Sequence, residues 1–346
     1  MIFTYMLGIE LTQQCNLDCR DCYKGDSKNV FITKEIIEKV FDEVKAADIL
    51  LLTGGEVHLA YEQLKMVLDI AKEKGCYFGA CQATINGTIY DKRIYQLLDD
   101  YFGENYEFYI SSDSFHDESI KRIYQKDVED SNDPLHPKSL NDVWKNLEKN
   151  YMHEKCVGEQ GLPSHLINGG RARNLDCPKY EFDATGYYYQ EGKEECYAVG
   201  PILFIGADGY ITDGNSELNS REQQSIGRLN KGKIIEQIKQ GGIQVKTTSI
   251  ADFRKFCWNI MQSYFSYEEP HYIFENNKMQ KVDRAKDIEY IQEIKKATDL
   301  WNHGFEAFQN GTFKDFLVNF PYDFSSYPRD LSLIDHNKKL NKQLNS

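Results

Sequence analysis

The chain has 346 residues, 41% of them hydrophobic and 27% charged, with a formal net charge of −13. That is enough apolar content for a large core, as one big domain or as one domain with an appendage. The acidic balance excludes a basic nucleic-acid footprint, no apolar run approaches the roughly 18 residues of a membrane span, and residues 1–11 lack the basic start and small-residue cleavage site of a signal peptide.

In chain order, residues 3–11 alternate loosely in polarity and end in Thr12-Gln13-Gln14, the pattern of a strand. It runs into Cys15-Asn16-Leu17-Asp18-Cys19-Arg20-Asp21-Cys22-Tyr23, where three thiols fall within eight positions. Spacings of four and three put the sulfurs on one tight loop, within reach of one metal centre. A closed iron–sulfur cube takes four cysteines and a closed structural zinc site four ligands, so three thiols leave one position open. Against this stand a zinc site, for which no fourth ligand lies nearby (His58 is the nearest histidine), and unligated thiols.

Thr33 caps a helix whose apolar positions Ile36, Ile37, Val40, Phe41 and Val44 share a face. Ile49 to Thr53 is a continuous apolar run, expected of a parallel strand buried on both faces, and it stops at Gly54-Gly55-Glu56. Tyr61 to Lys74 has helical spacing closed by Gly75, and Cys76 to Ala83 is a strand ending in Thr84-Ile85-Asn86-Gly87. Asp91 to Phe102 is helical and Tyr106 to Ser111 is a strand. This alternation implies βαβ units and a parallel sheet whose carboxyl ends carry the ligand site. Residues 114–160 are polar, with one helix expected near 139–155. Ala207-Asp208-Gly209 between apolar runs signals a hairpin, residues 231–239 and 286–308 look helical, and the polar stretch from Tyr322 onward is loosely ordered.

With the cysteine triplet and Gly54-Gly55-Glu56 together, the chain resembles the radical S-adenosylmethionine (SAM) enzymes. The match is C-x3-C-x2-C followed by an aromatic, here Cys15, Cys19, Cys22 and Tyr23, in the loop after the first strand. The resemblance implies an α/β fold, a partial (β/α)6 barrel with a smaller α+β C-terminal extension. It also implies a [4Fe–4S] cluster on these cysteines, with SAM chelated at the open iron. An external electron donor such as flavodoxin or ferredoxin would drive SAM cleavage to methionine and a 5′-deoxyadenosyl radical, which removes hydrogen from the substrate.

Other residues fit the family pattern. Gly54, Gly55 and Glu56 resemble the motif that binds the SAM amino group, with Val57 where proline is usual. Ser111 and Asp113 resemble the ribose-contacting position, and Asn86 lies in a turn similar to the family's Thr-Asn-Gly turn, with one residue inserted. Arg171, in Gly170-Arg171-Ala172, resembles the arginine that faces the SAM carboxylate. Cys76 and Cys81 sit in a strand pattern as small buried residues.

In the second half, Cys196-Tyr197-Ala198-Val199-Gly200, the segment from Ile202 to Gly209, and Ile226-Gly227-Arg228-Leu229 look like a twitch or SPASM extension. Such extensions hold auxiliary clusters on cysteines, and most of those cysteines are missing here. The expectation is a scaffold retained and a cluster lost. The expected division is a core barrel over 1–175, an extension over 176–260, and a helical segment with a loose tail over 261–346.

An extension of this type accompanies peptide and protein modification. The expected function is therefore hydrogen abstraction from a peptide, such as a ribosomal precursor, leading to crosslinking or epimerisation. Cys177, Cys196 and Cys257 are candidate thiols for returning a hydrogen atom to the substrate radical, the role a cysteine plays in the peptide epimerases of this family. The same chemistry on a small metabolite or cofactor precursor is the alternative, and a cluster-bearing regulatory protein without turnover is a third reading. Nine cysteines, odd in number and mostly unclustered, point to a reducing and hence cytoplasmic compartment, with neither nucleic acid nor membrane as partner.

Overall fold

The computed structural model describes residues 2–103, 105–111, 114–124, 142–143, 146, 156–159, 166–167, 170–175, 179–180, 187–190, 197–212, 218, 221–240, 245–246, 271–275 and 278–282. Strand β1 (Ile2–Thr12) is buried along its whole length, as a central strand covered on both faces must be. Beside it run β2 (Val44–Gly54), β3 (Tyr77–Ile85), β4 (Tyr106–Ser111) and β5 (Cys156–Glu159), each parallel to its neighbour.

Helices α1 (Lys34–Glu43), α2 (Tyr61–Glu73) and α3 (Lys92–Phe102) connect these strands and bury one face each. Ile37, Val40 and Phe41 are covered on α1, Leu64, Val67, Leu68 and Ala71 on α2, and Ile94, Tyr95 and Leu98 on α3. Each such side chain contributes roughly 1.5–3 kcal/mol by leaving water. Asp91 caps α3 by accepting from the Arg93 N–H at 3.0 Å. The class is α/β with the parallel sheet that the alternation of elements implies, consistent with the partial barrel that the resemblance implies.

Two features differ from the sequence reading. Strand β2 starts at Val44, the residue that caps α1, so Val44 belongs to the sheet and not to the helical face. Lys45-Ala46-Ala47-Asp48 gives no strand pattern of its own; its pairing with β1 and β3 makes it one. A helix α4 (Ser114–Tyr124) follows β4 where a polar segment was expected. Among its described side chains it buries Ser119, Ile120 and Tyr124, too thin an apolar face to stand out by periodicity. The helix expected near 139–155 lies mostly outside the described residues, as does all of 286–308.

The sheet also continues past position 175. After the short strands β6 (Leu166–Ile167), β7 (Lys179–Tyr180) and β8 (Tyr187–Gln190), strand β9 (Tyr197–Ile205) pairs parallel with β1 over Ile2 to Ile9, so the sheet runs on into the later half. Its order is β11-β10-β9-β1-β2-β3-β4-β5, with β10 (Tyr210–Thr212) and β11 (Gly227–Arg228) added antiparallel. The expected turn at Ala207-Asp208-Gly209 joins β9 to β10, with Gly209 at φ +81°. Short helices α5 (Arg221–Gln224) and α6 (Ile234–Gln240) complete this part, α6 burying Ile234, Ile235 and Ile238. No helix among the described residues is long and apolar enough to cross a membrane.

Candidate active site

The chain leaves β1 at Thr12 and returns at Ile32, and the intervening loop is pinched shut at its base. Gln13 N–H donates to the Val30 carbonyl at 2.8 Å, Lys28 N–H to Gln13 at 3.0 Å and Ile32 N–H to Leu11 at 3.0 Å. The loop carrying Cys15, Cys19 and Cys22 therefore stands as a closed unit at the carboxyl edge of the sheet. Inside it, the Cys15 N–H donates to Ser27 Oγ at 2.8 Å and the Leu17 N–H to Cys15 Sγ at 3.4 Å. Cys19 is buried, and Cys15 and Cys22 are half-buried.

The Gly54-Gly55-Glu56 turn is stitched to the start of this loop. Gly55 N–H donates to the Thr12 carbonyl and Glu56 N–H to the Gln14 carbonyl, both at 2.8 Å. A Cβ on Gly55 would lie 2.2 Å from the Gln14 oxygen and 2.7 Å from the Cys15 nitrogen. The glycine pair thus admits the cysteine loop itself. Glu56 is fully buried; it accepts from the His58 N–H at 3.0 Å, from His58 Nδ1 at 2.9 Å and from the Asn86 N–H at 2.7 Å. Here the carboxylate that the resemblance assigns to the SAM amino group joins the turn after β2 to the turn after β3.

Asn86 extends the connection, its amide donating to Asn16 Oδ1 at 2.9 Å and standing 3.9 Å from Cys15 Sγ. Asn16 in turn donates to Thr88 Oγ1 and Tyr124 Oη, at 2.8 and 2.7 Å. Arg171 clamps the far side of the loop. Its Nε donates to the Cys19 carbonyl at 2.8 Å, its backbone N–H to the Cys22 carbonyl at 2.9 Å, and its Nη1 meets Asp26 at 3.1 Å. Its neighbour Gly170 sits so close that a Cβ would be 2.4 Å from the Tyr23 carbonyl oxygen. The structure thus brings Cys15, Glu56 and Asn86 into one contact set, and Cys19, Cys22 and Arg171 into another. Ser111 ends β4 on the same sheet edge, opposite Glu159 of β5. Asp113, Cys177, Cys196 and Cys257 lie outside the described residues.

Beneath the loop lies a buried charge network that the sequence reading missed. Glu10, on β1, is fully buried and takes a bidentate contact from Arg221, Nη1 to Oε2 at 2.6 Å and Nη2 to Oε1 at 3.0 Å. Lys24, two residues past Cys22, reaches the same carboxylate at 3.2 Å, Thr53 Oγ1 at 3.3 Å and the Gly54 carbonyl at 3.0 Å. Asp208 Oδ1 joins Arg221 at 3.1 Å, and its Oδ2 accepts from Gln13 at 2.9 Å. Two carboxylates thus balance two cations where isolated charges would be intolerable. The one signal in the sequence was a glutamate inside the apolar run of β1, since a charge in a covered strand needs a partner. The partners, distant in sequence, gave none.

Burial would raise the Glu10 carboxyl, but the Lys24 and Arg221 charges outweigh it and bring it down to about 2. A carboxyl depressed in the folded state stabilises the fold fully above its ordinary value near 4.5, and that contribution is lost as pH falls toward about 2. Acid unfolding of the full chain will therefore show stability falling across this window, and Glu10→Gln will remove that component of the slope. A variant whose slope matches the parent's would contradict the assignment.

Burial, reinforced by the nearby Glu56 charge, pushes the Cys15 thiol up to about 12. Such a thiol keeps its proton at neutral pH until a metal displaces it. The donor set, three thiols on one braced loop, fits the soft ligation of an iron–sulfur cluster.

Residues 9–136 match the family model described as the Radical SAM superfamily; the match stops short of the segment that resembles an extension. No curated protein matches the sequence. Among solved structures, anSMEcpe with bound AdoMet is similar at 13% identity, over 69% of this chain and 81% of that one, with a TM-score of 0.37. BtrN in complex with AdoMet and 2-DOIA is similar at 14%, over 67% and 81%, with a TM-score of 0.39. Streptococcus suis SuiB bound to the precursor peptide SuiA is similar at 12%, over 64% and 63%, with a TM-score of 0.30. At these scores the likenesses carry no argument about chemistry. The family match falls on the cysteine loop, the Gly-Gly-Glu turn and the parallel strands that hold them, so residues 9–136 are similar to the radical SAM superfamily, whose enzymes use a [4Fe–4S] cluster and SAM.

Proposed function

We propose that Cys15, Cys19 and Cys22 hold the cluster, that SAM binds at the strand edge beside Gly54, Gly55, Glu56, Asn86, Ser111 and Asp113, and that the substrate is a peptide or protein. The observation that carries the site assignment is the closed cysteine loop at the carboxyl edge of the parallel sheet, tied by backbone hydrogen bonds to the Gly-Gly-Glu turn. A cluster held by these thiols would supply one-electron reduction of SAM, the chemistry that starts hydrogen abstraction from a substrate. The chain's own residues hold that loop. Arg171 fastens its backbone, Lys24 anchors its end to β1 and β2, and Asn16 and Asn86 secure its start.

The peptide reading draws on the second half, whose motifs resemble a twitch or SPASM extension. That half is in contact with the cluster end: the Leu218 N–H donates to the Lys24 carbonyl at 2.9 Å, and Lys28 Nζ donates to the Leu218 carbonyl at 3.3 Å. A substrate held near Leu218 would then lie beside the cysteine loop. Crosslinking or epimerisation is the outcome proposed, with Cys177, Cys196 or Cys257 as hydrogen donor, an external flavodoxin or ferredoxin as electron source, and the cytoplasm as compartment.

The anaerobically reconstituted full chain will cleave SAM to 5′-deoxyadenosine under reduction, and a deuterated peptide substrate will transfer its label into that product. Label transfer from a small metabolite alone would overturn the peptide assignment, and retained iron without SAM cleavage would favour the regulatory reading. Iron near four per chain agrees with a single cluster, whereas about eight would restore the auxiliary one. Cys19→Ala will lose cluster and SAM cleavage together; surviving activity would sink the cluster assignment.

A further inference from the structure

Helix α4 brings a histidine to the cysteine loop. Among the described residues, Cys19, Asp21 and His116 are the one trio of His, Cys, Asp or Glu whose ligand atoms all lie within 4.8 Å of one another. Cys19 is buried, and Asp21 and His116 are half-buried. Tetrahedral zinc, with bonds of roughly 2.0–2.3 Å, holds its ligands roughly 3.3–3.8 Å apart. Small side-chain rotations therefore close the trio on a single ion, whereas a four-iron cube needs donors spread wider.

The pieces that carry the trio are braced. Asp18 N–H donates to Ser119 Oγ at 3.1 Å, and Ser119 Oγ donates back to Asp18 Oδ1 at 2.9 Å. Arg122 pairs with Asp18, and Arg20 meets Glu118 at 3.6 Å. These contacts fix α4 against the stretch between Cys15 and Cys22. One thiolate, one carboxylate and one imidazole form a sulfur–oxygen–nitrogen set that suits zinc and not the oxygen-seeking calcium or magnesium.

We infer that Cys19, Asp21 and His116 form a zinc site that shares Cys19 with the cluster, so that zinc and the cluster are alternative occupants of this thiol. Zinc binding exchanges the Cys19 proton for a Zn–S bond with no change of oxidation state, and water fills the fourth position. The site depends neither on a peptide substrate nor on turnover. Its function would be a checkpoint at cluster loading, in which zinc caps the apo loop.

The test uses the full chain freed of iron under reducing conditions and titrated with zinc alone. X-ray absorption at the zinc edge will give one sulfur at about 2.3 Å and the remaining donors, nitrogen and oxygen, at about 2.0–2.2 Å. H116Q and D21N will each weaken zinc at least as much as the roughly 10–100-fold that loss of even an outer-shell partner costs. Both variants will still assemble a cluster, while C19A will lose both metals. Zinc-loaded parent protein will assemble its cluster more slowly than zinc-treated H116Q. Three sulfur donors at the zinc, or unchanged zinc affinity in both H116Q and D21N, would overturn the site. Equal assembly rates would overturn the shared occupancy. Circular dichroism separates loss of a ligand from loss of the fold.

Discussion

Glu10→Gln is expected to destabilise the chain by about 3–5 kcal/mol, the cost of breaking one side of a buried charge pair. Glu10 is fully buried and is the shared partner of Arg221 and Lys24. Neutralising it leaves two cations facing each other with Asp208, a quarter exposed at its side chain, as the remaining counter-charge. The loss is not confined to stability. Lys24 sits at the end of the cysteine loop, and its ammonium also holds Thr53 and the Gly54 carbonyl. An ammonium repelled from this position takes the Cys22 end of the loop with it, so E10Q will also bind less iron. Chemical denaturation and iron per chain measure the two effects. The triple change E10L with K24M and R221M should cost much less stability than E10Q alone, because it removes the charges together. A cost for E10Q below about 1 kcal/mol, the range of exposed pairs, would show that the network is not coupled as described.

Gly55→Ala will yield a folded protein that fails to hold the cluster. The three atoms nearest a new Cβ are the Gln14 oxygen at 2.2 Å, the Gln14 carbonyl carbon at 2.4 Å and the Cys15 nitrogen at 2.7 Å. All are backbone, so no side chain can swing away to relieve the clash. The loop has to shift at Cys15, one of the proposed ligands, at a cost of about 1–3 kcal/mol for overpacking. Gly75→Ala is the matched control: nothing lies within 4 Å of its Cβ, and its φ of +64° costs about 1–2 kcal/mol without touching the loop. Iron content of the two variants, prepared side by side, is the readout. Equal iron in both would remove Gly55 from the machinery of the loop.

Much of this site was legible because it rests on local pattern. The thiol spacing, the apolar run that stops at Gly54, and the Asn86 turn are all contiguous in sequence, and the backbone hydrogen bonds show why contiguity suffices: the loop closes on itself at its base. The roles given to single side chains were less legible. The motifs assign Glu56 and Arg171 to SAM, and the structure puts their polar atoms on His58, Asn86, Cys19, Cys22 and Asp26. A motif carries position more faithfully than it carries the direction of a hydrogen bond. Glu10 was visible only as a misplaced charge, and Arg221 not at all, since an arginine in a polar stretch looks solvated until a partner 211 positions away meets it. Helix α4 escaped for a related reason, because much of what it contributes is polar contact with the cysteine loop.

The pairing of β9 with β1 sets an order of events during synthesis. One long edge of β1 has no partner until β9, nearly two hundred residues later, has been made. At 5–20 residues per second the ribosome leaves that edge waiting for roughly 10–40 s. Until then Glu10 also lacks Arg221, and the Leu218 contact with the loop is absent. The nascent chain therefore displays an open strand edge, a feature prone to mispairing and to holdase capture. The loop is therefore fully braced only once Arg221 has been made, even though all three candidate ligands are synthesised within the first two dozen residues.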